Sequence, residues 1–164
     1  MLKTAERPNQ GVQPDQADSV VGVMNHLLAN EFVLYSKTLN YHWNVTGHHF
    51  HALHVFFEDQ YNQIQKIIDE VAEAARSHGG RALGTLSEFA KEASLTEHPG
   101  EVPDADTMVS NLMKDHDEII RELRDVIHRC DDEWNAPGAA DLLTGILEQH
   151  QKMAWMLRST VERH

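Results

Sequence analysis

Residues 41 to 73 read YHWNVTGHHFHALHVFFEDQYNQIQKIIDEVAE, and the spacing inside this stretch decides how the rest of the chain is read. From Phe50 to about Ser77 the apolar residues Phe50, Leu53, Phe57, Ile64 and Ile68 recur in helical steps, which predicts one long amphipathic helix. On that helix His54 and Glu58 are i and i+4, and so are Asp69 and Glu73. At helical periodicity all four border the apolar stripe without entering its centre, so they are expected where the helix meets another element.

The two pairs cannot hold one metal ion from a single helix. Their midpoints are fifteen residues apart, roughly 22 Å at the helical rise, whereas metal–ligand bonds are about 2 Å long. A second copy of the helix, antiparallel across a twofold axis near Gln63, would set His54 and Glu58 of one subunit against Asp69 and Glu73 of its mate. An isologous contact makes every such site twice. His42, just before the turn formed by Asn44 to Gly47, would fold back as a further ligand beside His54. Two imidazoles and three carboxylates suit a borderline metal such as Fe(II). Calcium and magnesium prefer oxygen, and structural zinc usually recruits cysteine. A lone helical His/Glu pair is ordinarily a solvated face. Two pairs in register, with a third histidine upstream, weaken that reading.

At these residues the chain resembles the Dps family, the DNA-protecting proteins of starved cells, also called mini-ferritins. The likeness runs from about Asp18 to the end and is most specific at His42-Trp43-Asn44, Gly47, Phe50, Leu53-His54, Glu58 and Asp69 to Glu73. It implies a ferroxidase centre between two subunits. His42, His54 and Glu58 would come from one chain, and Asp69 and Glu73 from the other. It further implies a homo-oligomer, a hollow dodecamer built from twofold dimers, in which hydrogen peroxide or oxygen oxidises Fe(II) to a stored ferric mineral. Two iron ions would occupy each site, with zinc or another divalent metal able to substitute. Ala74 stands where the family often has arginine after the last glutamate, which bears on a neighbouring ion pair and not on the ligands.

The remaining chain fits that frame. Residues 1–17 carry Pro8 and Pro14 with no apolar periodicity and read as a flexible N-terminal tail, leaving 18–164 as an all-α, ferritin-like four-helix bundle domain. Asp18 or Ser19 is expected to cap a first helix that ends near His42. The second helix should stop at Gly79-Gly80, and the capping box Thr85-Leu86-Ser87-Glu88 predicts a short helix over 85–93 in the crossover between helices 2 and 3. Asp104 should cap the third helix, and the fourth should begin near Pro137. Cys130 falls on the apolar stripe of the third helix and reads as a small core residue. Asp141 and Glu148, seven apart on the last helix, share a face. By resemblance Asp141 lines a threefold pore for entering iron and Glu148 continues it, while a solvated acidic face fits the spacing equally well. Gln151 stands where many relatives have a further aspartate. Trp43, beside His42, is either packing or a trap for stray one-electron oxidants. His48, His49 and His51 are better read as solvated than as extra ligands.

Composition narrows the alternatives. The chain has 164 residues, 41% of them hydrophobic, enough for one domain with a sizeable core. A net charge of −12, from 26 acidic and 14 basic residues, favours cations over nucleic acid. The single cysteine allows no intrachain disulfide, and no apolar run reaches the length a membrane span needs, so a cytoplasmic protein with no membrane partner is expected. A di-iron centre inside one bundle would use Glu-x-x-His on two helices, and that motif does not occur in the sequence. A second alternative is a Dps-like shell that mainly coats DNA or binds partners without catalysis. The tail argues against it, because Lys3 and Arg7 are balanced by Glu6 and Asp15 and offer little counterion release. The protein is therefore expected not to retard plasmid DNA in a gel at near-physiological salt. Retardation without added divalent metal that weakens as salt rises would reveal a basic patch and overturn this expectation.

Overall fold

The structure is a computed structural model that describes residues 8–161. The described residues form five helices: α1 Pro14–Asn44, α2 Phe50–Ser77, α3 Leu86–Glu92, α4 Ala105–Asp132 and α5 Pro137–Val161. Helices α1 and α2 pack as one antiparallel pair, α4 and α5 as another, and α3 lies against α1 within the crossover from α2 to α4. The expected all-α bundle with a short extra helix is what the chain forms. Its core holds Met24, Leu28, Leu34, Phe57, Ile64, Ile67, Met108, Leu112, Ile119, Leu123, Leu143 and Ile146, each almost fully buried.

Most helix ends follow the sequence signals. The Thr85 hydroxyl accepts from the Glu88 amide, the Asp104 carboxylate accepts from the Thr107 amide at 2.8 Å, and Pro137 opens α5. Gly79 takes a left-handed φ of 87° after α2. A Cβ on the next residue, Gly80, would lie 2.2 Å from Val21 Cγ1, so glycine there lets the crossover start hard against α1. Cys130 is buried as expected, and desolvation raises its thiol to about 11.

The start of α1 differs from the sequence reading. The helix begins at Pro14 and not after Asp18. Pro14 supplies a preset first-turn φ, and the Gln16 side chain accepts from the Gln13 amide while donating to the Glu133 carbonyl at 3.0 Å. The last residues of the expected tail are therefore helical, and its first seven lie outside the described residues. Phe50 also departs from its place in the stripe. It is 45% exposed and packs its ring against His54, because it opens α2 beyond the end of the core.

Polar side chains of α1 fix the path of the crossover. Asn25 donates to the Arg81 carbonyl and accepts from the Leu83 amide, both at 2.9 Å. The fully buried Asn30 accepts from the Ser94 and Leu95 amides at 2.8 and 3.1 Å and donates to Glu122 at 3.0 Å. Lys37 Nζ donates to the Thr96 carbonyl at 2.7 Å and to Asp115 at 2.6 Å. Between these clamps the rings of Phe32 and Phe89 stack 4.0 Å apart, holding α3 on α1.

His26 belongs to the same seam, 3.5 Å from Glu92 on α3 and 3.6 Å from Glu122 on α4. Glu122 raises the imidazole pKa, with Glu92 adding to it against the opposing effect of burial, while His26 holds Glu122 low. A raised histidine stabilises the fold fully below its unfolded value, near 6.5, and that contribution fades as pH rises through the folded value. The His26→Asn variant should therefore be less stable than wild type by about 0.5 kcal/mol at pH 6, a value kept small by solvent screening. The gap should close by pH 8.5. Urea unfolding of both proteins across that range measures it, and a gap independent of pH would show that the charge pairs contribute nothing.

Candidate metal centre

The turn after α1 is built to bring two imidazoles together. The Val45 amide closes the last helical turn on the Tyr41 carbonyl at 2.9 Å, Gly47 takes a left-handed φ of 107°, and the Phe50 amide bonds the Gly47 carbonyl at 3.0 Å as α2 begins. Glycine at 47 avoids the Cβ clash that this backbone imposes on other residues. The returning chain places the rings of His42 and His54 face to face, with centroids 3.8 Å apart and planes 20° from parallel.

The two rings then lock each other's tautomer. His42 Nδ1 donates to the His54 carbonyl and His54 Nδ1 donates to the His42 carbonyl, each at 2.8 Å. A carbonyl only accepts, so the Nδ1 atoms carry protons, and in the neutral rings the lone pair is therefore on Nε2. Orienting a metal-binding histidine through its other nitrogen is how proteins preset such ligands. His42 is buried and His54 half-buried.

Tyr61 completes the near side of this centre, and sequence reasoning missed it. Its ring meets His42 edge-on at 5.3 Å, and its hydroxyl donates to Glu58 Oε1 at 3.4 Å. Desolvation, then the Glu58 charge, raises the phenol pKa. The available signal was spacing. Tyr61 is i+3 from Glu58 and i+7 from His54, hence on the same face of α2. The structure thus gathers His42, His54, Tyr61 and Glu58 in one neighbourhood, with the Glu58 carboxylate exposed.

Asp69 and Glu73 do not join them. They lie exposed about three turns further along α2. Among the described residues no three side chains of His, Cys, Asp and Glu converge on a metal-sized position within the chain. Asp69 instead borders a groove of about 660 Å³ between α1, α2 and α3, whose wall is largely apolar and includes Leu28, Phe32, Tyr35, Ile68 and Phe89. Leu86, 79% exposed, stands close by on α3.

The other sequence candidates are on the surface. Trp43 is 67% exposed, so packing within the chain is not its role. Asp141 and Glu148 are exposed on α5, and His48, His49 and His51 are exposed around the start of α2. Among the described residues no helix is long and apolar enough to cross a membrane.

The model of the ferritin-like domain matches residues 22–164. An uncharacterized low temperature-induced protein of Nostoc sp. is 43% identical over 156 residues, covering 95% of this chain and 87% of that protein. The DNA protection during starvation protein 2 of Bacillus anthracis is 37% identical and covers 85% of this chain and 94% of its own length. Among solved structures, the Dps protein of Vibrio cholerae O1, described as a member of a broad superfamily of ferritin-like diiron-carboxylate proteins, superimposes with a TM-score of 0.89. It is 28% identical over 96% of this chain and 99% of that one. On its helical bundle, its crossover helix and these likenesses, the chain belongs to the ferritin-like family and, within it, to the Dps proteins.

Proposed function

We propose that the protein oxidises Fe(II) at a centre shared by two subunits and stores the ferric product, removing the iron and peroxide that would otherwise damage the cell and its DNA. The observation that carries this reading is the pair of imidazoles His42 and His54, each holding a proton on Nδ1 and a free lone pair on Nε2. One subunit supplies these nitrogens with the Glu58 carboxylate, and its mate supplies Asp69 and Glu73. The apolar groove beside Asp69, with the exposed Leu86 near it, is the surface a second copy would cover. Membership of the Dps proteins supports assembly of such pairs into a hollow dodecameric shell.

Iron here is substrate. The carboxylates neutralise and bridge two Fe(II) ions and the imidazoles fix their positions. Each Fe(II) gives up one electron. Hydrogen peroxide takes both electrons and two protons, its O–O bond breaks, and two waters form; hydrolysis of the two Fe(III) to mineral then releases protons. Trp43, exposed one residue from His42, can surrender an electron to a stray radical before it escapes. Tyr61 orients Glu58 through its hydroxyl. On α5, Asp141 and Glu148 concentrate Fe(II) at an entry pore by their charge.

Two experiments test this. A variant with His42→Ala, His54→Ala and Glu58→Ala, and another with Asp69→Asn and Glu73→Gln, should each oxidise Fe(II) no faster than the uncatalysed solution. Co-expressed, random pairing makes half the dimers mixed, and one of the two sites in each is whole, so about a quarter of wild-type activity should return. Shells shown to contain both chains yet lacking any recovery would refute the shared centre. Asp141→Asn should slow iron uptake several-fold at low Fe(II) and little at high Fe(II), since a pore charge raises local concentration without performing chemistry. Equal rates at all concentrations would remove Asp141 from the entry path.

A further inference from the structure

Away from the proposed iron centre, the apolar core contains a polar chain that the function above does not use. Glu31 of α1, His150 of α5 and His116 of α4 are all fully buried. His150 Nε2 lies 2.8 Å from Glu31 Oε1, and His150 Nδ1 lies 2.8 Å from His116 Nδ1. Each residue occupies a position that its helix's stripe assigns to the core. Glu31 falls between Leu27 and Leu34, His116 between Leu112 and Ile119, and His150 between Ile146 and Met153, at steps of three or four. An apolar side chain would satisfy the pattern at each of them.

The hydrogen bonds limit how many protons this chain can hold. With Glu31 ionised, its carboxylate only accepts, and His150 Nε2 then carries a proton and donates it to Glu31. Between the two Nδ1 atoms there is room for one proton, donated by one ring and accepted by the other. If both were protonated, two N–H bonds would meet head-on with their hydrogens about 0.8 Å apart. His116 Nε2 and Glu31 Oε2 have no hydrogen-bond partner among the described residues, so the network cannot rearrange to absorb a second proton without desolvating it. The surrounding charges do not help. Asp115 is paired with Lys37 and Asp117 with Arg158, while α2 offers as its buried polar group only the amide of Gln60, which donates to the Met153 carbonyl at 3.3 Å.

From this geometry we infer that the Glu31–His150–His116 chain is an acid-sensitive latch, which binds α1, α4 and α5 while the two rings share one proton and releases them when both imidazoles are protonated. Burial, then the adjacent His150, holds the His116 pKa well below its ordinary value, in keeping with a ring that stays neutral in the folded protein. The sign follows from linkage. Unfolded His116 gains a proton as pH falls below about 6.5 and folded His116 does not, so stability is lost with falling pH. The expected consequence is a bundle that is firm at neutral pH and less stable, though still folded, in mild acid, independently of iron.

The test is urea unfolding of the metal-free full-length protein from pH 7.5 to 5.0, alongside H116Q, whose amide can accept from His150 but does not titrate. Between these limits the wild-type unfolding constant should rise about 30-fold more than that of H116Q. Parallel curves would overturn the latch. Histidine 15N spectra of the folded wild type keep the idea testable should H116Q fail to fold. One of the two Nδ1 atoms should be protonated and the other bare at pH 5.5 as at pH 7.5. Two fully protonated rings in the folded protein at pH 5.5 would overturn it as well.

Discussion

The reciprocal bond between His42 and His54 is the constraint on which the α1–α2 half of the molecule turns. Each imidazole donates to the other residue's backbone carbonyl, so the register of the hairpin and the tautomer of the rings are set by the same two hydrogen bonds. A slip of one residue would rotate both rings by about 100° about their helices and separate donor from acceptor. The His42 carbonyl lies in the last turn of α1, among those that lack an intrahelical partner, so the His54 proton also caps that helix end. One contact thus ends a helix, fixes a turn and leaves two nitrogen lone pairs free.

What α1 does on its other side is equally directive. Asn25, Asn30 and Lys37 receive the crossover at three levels, and each satisfies backbone groups that a loop would otherwise leave to water. Desolvation raises the Asp115 carboxyl against the opposing pull of Lys37, so the pair serves more to position than to stabilise. With the crossover clamped, α3 is held by Phe89 on Phe32, and the apolar groove beside Asp69 has a fixed wall.

Much of this was legible in the sequence, because helices announce themselves by period and by caps. The starts of α3, α4 and α5 followed from Thr85, Asp104 and Pro137, which do what their positions suggest. The start of α1 did not, because Gln13 and Gln16 are weaker cap signals than the Asp18 and Ser19 that follow, and it took the Gln16 contact to Glu133 to favour the earlier start. Of the candidate centre, the spacing of His54, Glu58, Asp69 and Glu73 was legible, and so was the fold-back of His42. Tyr61 was not, since an aromatic residue at helical spacing reads as core until the turn brings His42 beneath it. The buried polar chain escaped for a related reason. A periodic stripe counts only its apolar members, and Glu31, His116 and His150 appear in it as gaps.

Those gaps are distributed unevenly, and the distribution matters for α2. Polar chains tie α1, α4 and α5 to one another through Glu31, His150 and His116, whereas α2 enters the core with the apolar residues Leu53, Phe57, Ile64, Ile67 and Val71 and the single amide of Gln60. Yet α2 carries four of the five candidate ligands. Their separation along the helix is set by backbone geometry, but how deeply the helix sits, and hence how far its carboxylates stand from the bundle, is set by close packing. Removing a buried side chain such as Ile64 would cost about 2–5 kcal/mol and leave space into which α2 could sink. The ends of the helix answer differently to such a loss. His54 is held by its bond to the His42 carbonyl, whereas among the described residues nothing polar fixes the side chains of Asp69 and Glu73. The half of the proposed centre that Asp69 and Glu73 would contribute therefore depends, within the chain, on packing alone.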